Sequence, residues 1–333
     1  METNMNNSVN AGVNRRAWMM AMAAAAAVVQ RPAFGQSGYP VRSVRLIVPF
    51  PSGSGPDMFA RVLAQQFQES LGRPFVIDNK AGALGVIGTT EVARSAADGY
   101  TLLLTTNTTQ AANLALVKNL PYHPVKDFEP IVRVVSAPMI LIVKPDFPAL
   151  TIKEFLAYAK SRTEGLSGGY GSAASQISIA KLKTLGGFSA VEVPYKGIPP
   201  AVNDLLGGQI SFTFADLPLA LPLIRSGKLN GLGVTSLKRL SVEPSLPAIA
   251  EEFPGFDVIG WQGLVAPAGT PKDIIYKLYE TMAISMTKPE VRARIISMHQ
   301  DIEVLNPEQF SKFIDREILK WAKDAKEAGI EPQ

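Results

Sequence analysis

One phrase recurs along this chain and narrows its possible folds more than any other feature: a short β-rich run, a loop of small polar residues, then a helix start. Val44-Arg45-Leu46-Ile47-Val48 reads as a strand ended by Pro49, Pro51-Ser52-Gly53-Ser54-Gly55 makes the loop, and Pro56 with Asp57 suits a first helical turn. Phe59, Val62, Leu63 and Phe67 then share one helical face and belong to the core. The phrase returns at Phe75-Val76-Ile77 with the glycine-spaced turn Gly82 to Gly88 and a helix to about Ala96. It returns again at Tyr100 to Leu104 with Thr105 to Thr109, and at Tyr170-Gly171-Ser172-Ala173-Ala174-Ser175. Strand and helix in alternation predict an α/β architecture on largely parallel sheets. At 333 residues, with 47% apolar and 19% charged, the chain suits a globular protein of two such domains.

Two segments look suited to pass between domains. Between Phe128 and Val143, two apolar runs flank Ser136-Ala137-Pro138 and read as strands crossing from one domain to the other, and Phe256 to Ala266 is the expected return. Val191 to Gly197 and Ile210 to Phe214 supply further strands. Thr151-Ile152-Lys153-Glu154 has capping-box spacing and opens a helix expected to end near Gly165. Thr270-Pro271-Lys272-Asp273 and Asn306-Pro307-Glu308-Gln309 start two C-terminal helices.

The N-terminus has the layout of an export signal. Arg15 and Arg16 precede thirteen apolar residues, Ala17 to Val29, too few to span a membrane, and Ala33-Phe34-Gly35 offers small residues at a cleavage site. Residues 1–35 are therefore expected to be removed, leaving a periplasmic monomer; the paired arginines leave general and twin-arginine export both open.

Composition excludes several chemistries. With no cysteine, the chain has no disulfide, thiolate metal site, Cys nucleophile or lipidation cysteine. Two histidines, His123 and His299, cannot build a His-rich metal site, and His123 between Tyr122 and Pro124 reads as a loop or packing residue. Of the net charge of +4, +2 belongs to residues 1–35, so the rest has no nucleic-acid footprint. A dinucleotide fingerprint starting at Gly53-Ser54-Gly55 fails at Met58, and no P-loop is present. No metal, cofactor or catalytic residue is expected.

What remains is a set of polar loops at 52–57, 105–109 and 171–175, each leading into a helix. Free N–H groups and the positive dipole end there attract a carboxylate, each contact contributing roughly 0.3 to 2 kcal/mol. Converging loops of this kind make an anion site without a basic side chain.

Several ordered motifs then carry a resemblance. Arg45-Leu46-Ile47-Val48-Pro49-Phe50-Pro51-Ser52-Gly53, Asp98-Gly99-Tyr100-Thr101-Leu102-Leu103, Val193-Pro194-Tyr195-Lys196-Gly197, Asp204-Leu205-Leu206-Gly207-Gly208-Gln209 and Ala266-Pro267-Ala268-Gly269-Thr270-Pro271 are among them. From about Tyr39 onward the chain resembles the Bug-type solute-binding proteins of tripartite tricarboxylate transporters. The resemblance implies a two-lobed periplasmic-binding-protein fold, type II-like, with lobes 40–141 plus 263–333 and 142–262. It implies hinge closure on a small carboxylate, delivery to membrane permease subunits, and no catalysis. Carried over by position, Phe50, Ser52, Gly53, Ser54 and Asp57, then Gly85 and Val86, then Thr106 and Asn107, would line one side of the cleft. Gly171, Ser172 and Ser175, then Tyr195 and Lys196, then Ala215 and Asp216, would face them.

Four positions depart from the family pattern: Ser54 for a glycine, Val86 for asparagine, Ser178 for histidine and Ala215 for aspartate. With Ala215 facing the ligand and Asp216 on the opposite strand face, an ammonium group would lack a partner. The expected ligand is therefore an acid without an amino group, with an aromatic mono- or dicarboxylate favoured over citrate because apolar walls suit a ring. Two other functions stay open: a secreted serine-type hydrolase, although no G-x-S-x-G elbow is present, and a ligand sensor for a signalling receptor.

Overall fold

The computed structural model describes residues 38–333 apart from Val242; the export signal read over 1–35 lies outside the described residues. Residues 40–333 form one compact unit. Its first β-loop-α unit is β1 (Val44–Val48) and α1 (Gly55–Leu71), with Ser54 as N-cap, Pro56 in the first turn, and Gly72 closing the helix at φ 69°. Phe59, Val62, Leu63 and Phe67 are all buried, as their spacing predicts. β2 (Phe75–Asn79), α2 (Val86–Ala93) and β3 (Thr101–Thr106) follow, and β1 pairs in parallel with both β2 and β3. A π-helical turn (Thr108–Ala112) leads into the short α3 (Asn113–Leu116).

The two runs between Phe128 and Val143 are one strand, not two. β4 (Phe128–Val143) is 16 residues long. Up to Pro138 it pairs with β9 (Ile259–Pro267); from Met139 onward it pairs with β7 (Phe212–Asp216) and β8 (Asn230–Val234). Pro138, the last residue paired with β9, has no N–H to give a ladder, which suits the point where the strand changes partners. The return also differs from expectation. All of β9 lies in the first sheet beside β3 and β4, so the chain re-enters near Val258, whose N–H still bonds to Thr235 O.

The second half repeats the first. α4 (Ile152–Ser161), β5 (Leu166–Tyr170), α5 (Ala173–Gly186), β6 (Ala190–Pro194) and α6 (Ile198–Leu206) lead to β7 and α7 (Leu217–Arg225). β5 pairs in parallel with β6 and β7. Glu154 accepts from Leu150 N instead of the Thr151 cap, and α4 stops at Ser161, short of Gly165. α8 (Lys272–Ser285), α9 (Pro289–Ser297), β10 (Asp301–Leu305) and α10 (Pro307–Glu327) return to the first sheet, where β10 pairs with β4. Strand order is β2-β1-β3-β9-β4-β7-β5-β6, with β8 and β10 beside β4. The sheets are thus mixed: parallel on the outer strands and antiparallel around β4, β8, β9 and β10.

Candidate functional site

The carboxyl ends of the parallel strands in both halves point to one seam, the position at which open α/β sheets bind ligands. Three contacts close it. Gly55 N–H donates to Asp216 Oδ2 at 3.0 Å, Ala173 N–H donates to Thr108 Oγ1 at 3.1 Å, and the Pro51 ring occupies the space that a Cβ on Gly197 would need. Gly171 packs equally tightly on the Gly197 backbone.

Between these contacts lies a small cavity of about 40 Å³. Six of the expected residues line it: Phe50, Ser54, Thr106, Asn107, Ser172 and Asp216. Asn107 is only 4% exposed and its Nδ2 has no partner; Gln262, at 3%, has an unpartnered Oε1. Ser172 caps α5 in a reciprocal box with Ser175, whose hydroxyl accepts from Gly171 N–H and Ser172 N–H at 3.1 Å each. Ser175 is therefore spent on the cap and does not line the cavity. The Ala174 N–H, on the second residue of α5, has no acceptor within its helix.

The first loop is organised by its own carboxylate. Asp57 takes Gly53 N–H at 2.9 Å, both donors of Arg61 at 3.0 Å, and Asn79 Nδ2 at 3.0 Å. Burial works to raise its pKa, but Arg61, Gly53 and Asn79 together hold it below the ordinary carboxylate range. Asp57 thus shapes the loop and does not line the cavity, and Ser52, exposed, reaches only Asp57 at 3.4 Å. The expectation that backbone donors at 52–57 wait for a ligand is corrected accordingly: Gly53 N–H serves Asp57 and Gly55 N–H serves Asp216.

Asp216 and Ala215 exchange the parts expected of them. Ala215 is fully buried opposite Ile140 in the β4–β7 ladder, whereas Asp216 reaches the cavity. Asp216 is the last residue of β7 and the N-cap residue of α7, with Pro218 in that helix's first turn. The cavity lies beyond the strand end, so face alternation does not decide what reaches it. Burial pushes the Asp216 carboxyl above its ordinary pKa, with the Gly55 hydrogen bond opposing.

Val86, Tyr195 and Lys196 line a different cavity, of about 530 Å³. Gly85 lines neither; its left-handed backbone, φ 79°, lets it pack against Pro49 and Thr109.

Residues 59–330 match the family described as the tripartite tricarboxylate transporter family receptor, TctC. The chain belongs to this TctC family. BugT of Bordetella pertussis is 36% identical over 297 residues, 87% of this chain and 90% of BugT. The solved periplasmic binding protein BugD superposes with a TM-score of 0.85 at 37% identity, covering 89% of this chain and 100% of BugD. A protein of R. palustris solved with adipate superposes at 0.86 with 34% identity, covering 89% and 100%. This TctC-family chain is a solute-binding protein with the two-lobed α/β fold of periplasmic binding proteins.

Solved relatives are binding proteins, and neither serine of the TctC-family site here, Ser54 or Ser172, is hydrogen-bonded to a carboxylate or histidine. Ser172 Oγ lies against Ser175, His123 Nδ1 accepts Val125 N–H and Lys126 N–H at 3.2 Å, and neither histidine lines the cavity.

Sequence reasoning missed Gln262, Trp261 and Met139, which line the cavity; Thr108, inside the expected 105–109 loop, lines it as well. A glutamine inside the apolar run Ile259 to Pro267 was the available signal for Gln262. Trp261 owes its position to Glu317 of α10, whose Oε2 accepts the Trp261 indole N–H at 2.7 Å and that of Trp321 at 2.8 Å.

Proposed function

We propose that this chain is an exported, periplasmic, monomeric receptor that closes its two lobes, which join at Pro138–Met139 and near Val258, on a small carboxylate. It would then deliver the solute to the membrane permease subunits of a tripartite tricarboxylate-type transporter. The observation that carries this reading is the buried, unpartnered Asn107 Nδ2 on the wall of a cavity that the α5 N-terminus also reaches, with Ala174 N–H free there. Both are donors, and both suit an anionic oxygen. Phe50, Met139, Ile198 and Trp261 supply apolar walls for the body of the solute, which suits a chain or ring. The adipate bound by the R. palustris relative is a molecule of this kind.

At about 40 Å³ the cavity has room for a few waters and not for a solute the size of adipate, so a solute enters only when Gly55–Asp216, Thr108–Ala173 and Pro51–Gly197 part. That is hinge motion about β4 and the Val258 re-entry. A second reading has one observation in its favour: Asp216 puts a carboxylate in the cleft that an amino-acid ammonium could meet, which removes the premise drawn from Ala215.

Calorimetry with adipate, succinate, citrate, terephthalate and benzoate beside glutamate and aspartate tests both. The expected result is tight binding of an acid without an amino group, with a fall in radius of gyration in solution scattering. Preference for an amino acid selects the second reading, and no binding across the panel overturns both.

A further inference from the structure

The second cavity, of about 530 Å³, shares no lining residue with the first. Its volume is in the range of small-molecule sites. Leu84, Val86, Leu116, Val117 and Pro194 make most of its lining apolar. Two polar groups stand out against these walls. Gln176 is only 4% exposed and its Oε1 has no partner, an arrangement that costs stability unless something donates to it. Lys196 is exposed, forms no ion pair among the described residues, and is the single cation of the lining. Of the other polar residues of the lining, Tyr195 OH donates to Asp204 at 2.7 Å and the Gln333 backbone pairs its N–H and oxygen with Leu116 O and Lys118 N–H, while the Asn119 amide and the Tyr170 hydroxyl are further groups that a polar ligand can meet.

One wall is strained. Ala83 and Leu84 both adopt left-handed backbone, φ 46° and 51°, a conformation that non-glycine residues rarely take. Gly85 N–H to Gly82 O at 2.9 Å and Asn113 Nδ2 to Leu84 O at 3.1 Å hold the turn, and both strained residues line the cavity. Strain of this kind persists where the surroundings over-determine it, and it clusters at functional sites.

We propose that this cavity is a second small-molecule site, separate from the cleft, for an anion with an apolar body and a hydroxyl: the acid group at Lys196, the body against Leu84 and Val86, and the hydroxyl donating to Gln176 Oε1. The site does not rest on the cleft reading, and it stands or falls on its own residues.

Calorimetry on the whole mature protein with three probes tests it: 3-(4-hydroxyphenyl)propionate, 3-phenylpropionate, which lacks the donor, and 3-(4-hydroxyphenyl)propionamide, which lacks the charge. The hydroxy acid is expected to bind best. Lys196→Ala should weaken both acids about tenfold and leave the amide unchanged, with Lys196→Arg restoring them. Gln176→Leu should weaken only the hydroxyl-bearing probes, about fivefold, and the exposed Lys196 variants keep the test valid if Gln176→Leu fails to fold. The cleft variant Gln262→Leu should leave all three affinities as they are. No binding of the hydroxy acid, indifference to both Lys196 and Gln176, or loss of binding in Gln262→Leu with Lys196→Ala unaffected would each overturn the site.

Discussion

Asp216 and Gly55, 161 residues apart in the chain, are joined across the seam by a 3.0 Å hydrogen bond from the Gly55 N–H to Asp216 Oδ2. A Cβ on Gly55 would come within 2.9 Å of Asp216 Cγ, so this approach of the first helix to the end of β7 tolerates little beyond glycine. The closed seam therefore holds a half-buried carboxylate in the cavity where an anionic solute is expected.

That burial makes solute binding pH-dependent. Because burial raises the Asp216 pKa, the carboxyl stays neutral to higher pH than an exposed one, and a ligand carboxylate then meets no like charge. As pH rises through that value the charge appears, and affinity for a carboxylate should fall by up to about tenfold per pH unit. Calorimetry across buffers above the ligand's own pKa should show this slope in the wild type and a flat profile in Asp216→Asn. An amino-acid ligand would reverse the slope.

Asp57 governs stability instead. Asp57→Ala strands Gly53 N–H, Asn79 Nδ2 and the Arg61 guanidinium, and should cost about 2 to 3 kcal/mol in denaturant unfolding. The pKa of Asp57 is lowered in the fold, so its stabilisation is fully present above the ordinary carboxylate range and disappears as pH falls through the lowered value. The Tm gap between wild type and variant should accordingly close in acid.

Two glycines separate folding from closure. A Cβ on Gly197 meets the Pro51 ring across the seam, a clash that opening relieves, so Gly197→Ala should keep its Tm, show a larger radius of gyration and bind the cleft ligand at least tenfold more weakly. A Cβ on Gly171 meets the Gly197 backbone within the same half, where opening brings no relief. Gly171→Ala should lower the Tm. Equal behaviour of the two variants would contradict this division.

Glu317 is the anchor of the cavity's aromatic wall. Glu317→Leu leaves two indole N–H groups, of Trp261 and Trp321, without their acceptor and should destabilise the fold by about 3 kcal/mol. Tryptophan emission should shift in the folded variant, and an unchanged spectrum would show the indoles otherwise satisfied.

Local chemistry was legible in the chain itself. Pro49 ends β1, Ser54 caps α1, Ser172 caps α5 and Asn306 caps α10, because each of these signals is written within a few residues of where it acts. The convergence of polar loops followed from the same grammar, since strand ends leading into helix starts collect at one edge of an α/β sheet. Only the tertiary structure decided which donors those loops leave free. Gly53 N–H and Gly55 N–H answer to carboxylates four and 161 positions away, and Asn107 Nδ2 keeps no partner. It also decided that Asp216 and not Ala215 reaches the cavity, and that Val86, Tyr195 and Lys196 line a different one. Periodicity and capping are set by neighbours in sequence, whereas a cleft is made where two sheets meet, and its contents depend on groups brought together only by closure of the whole chain.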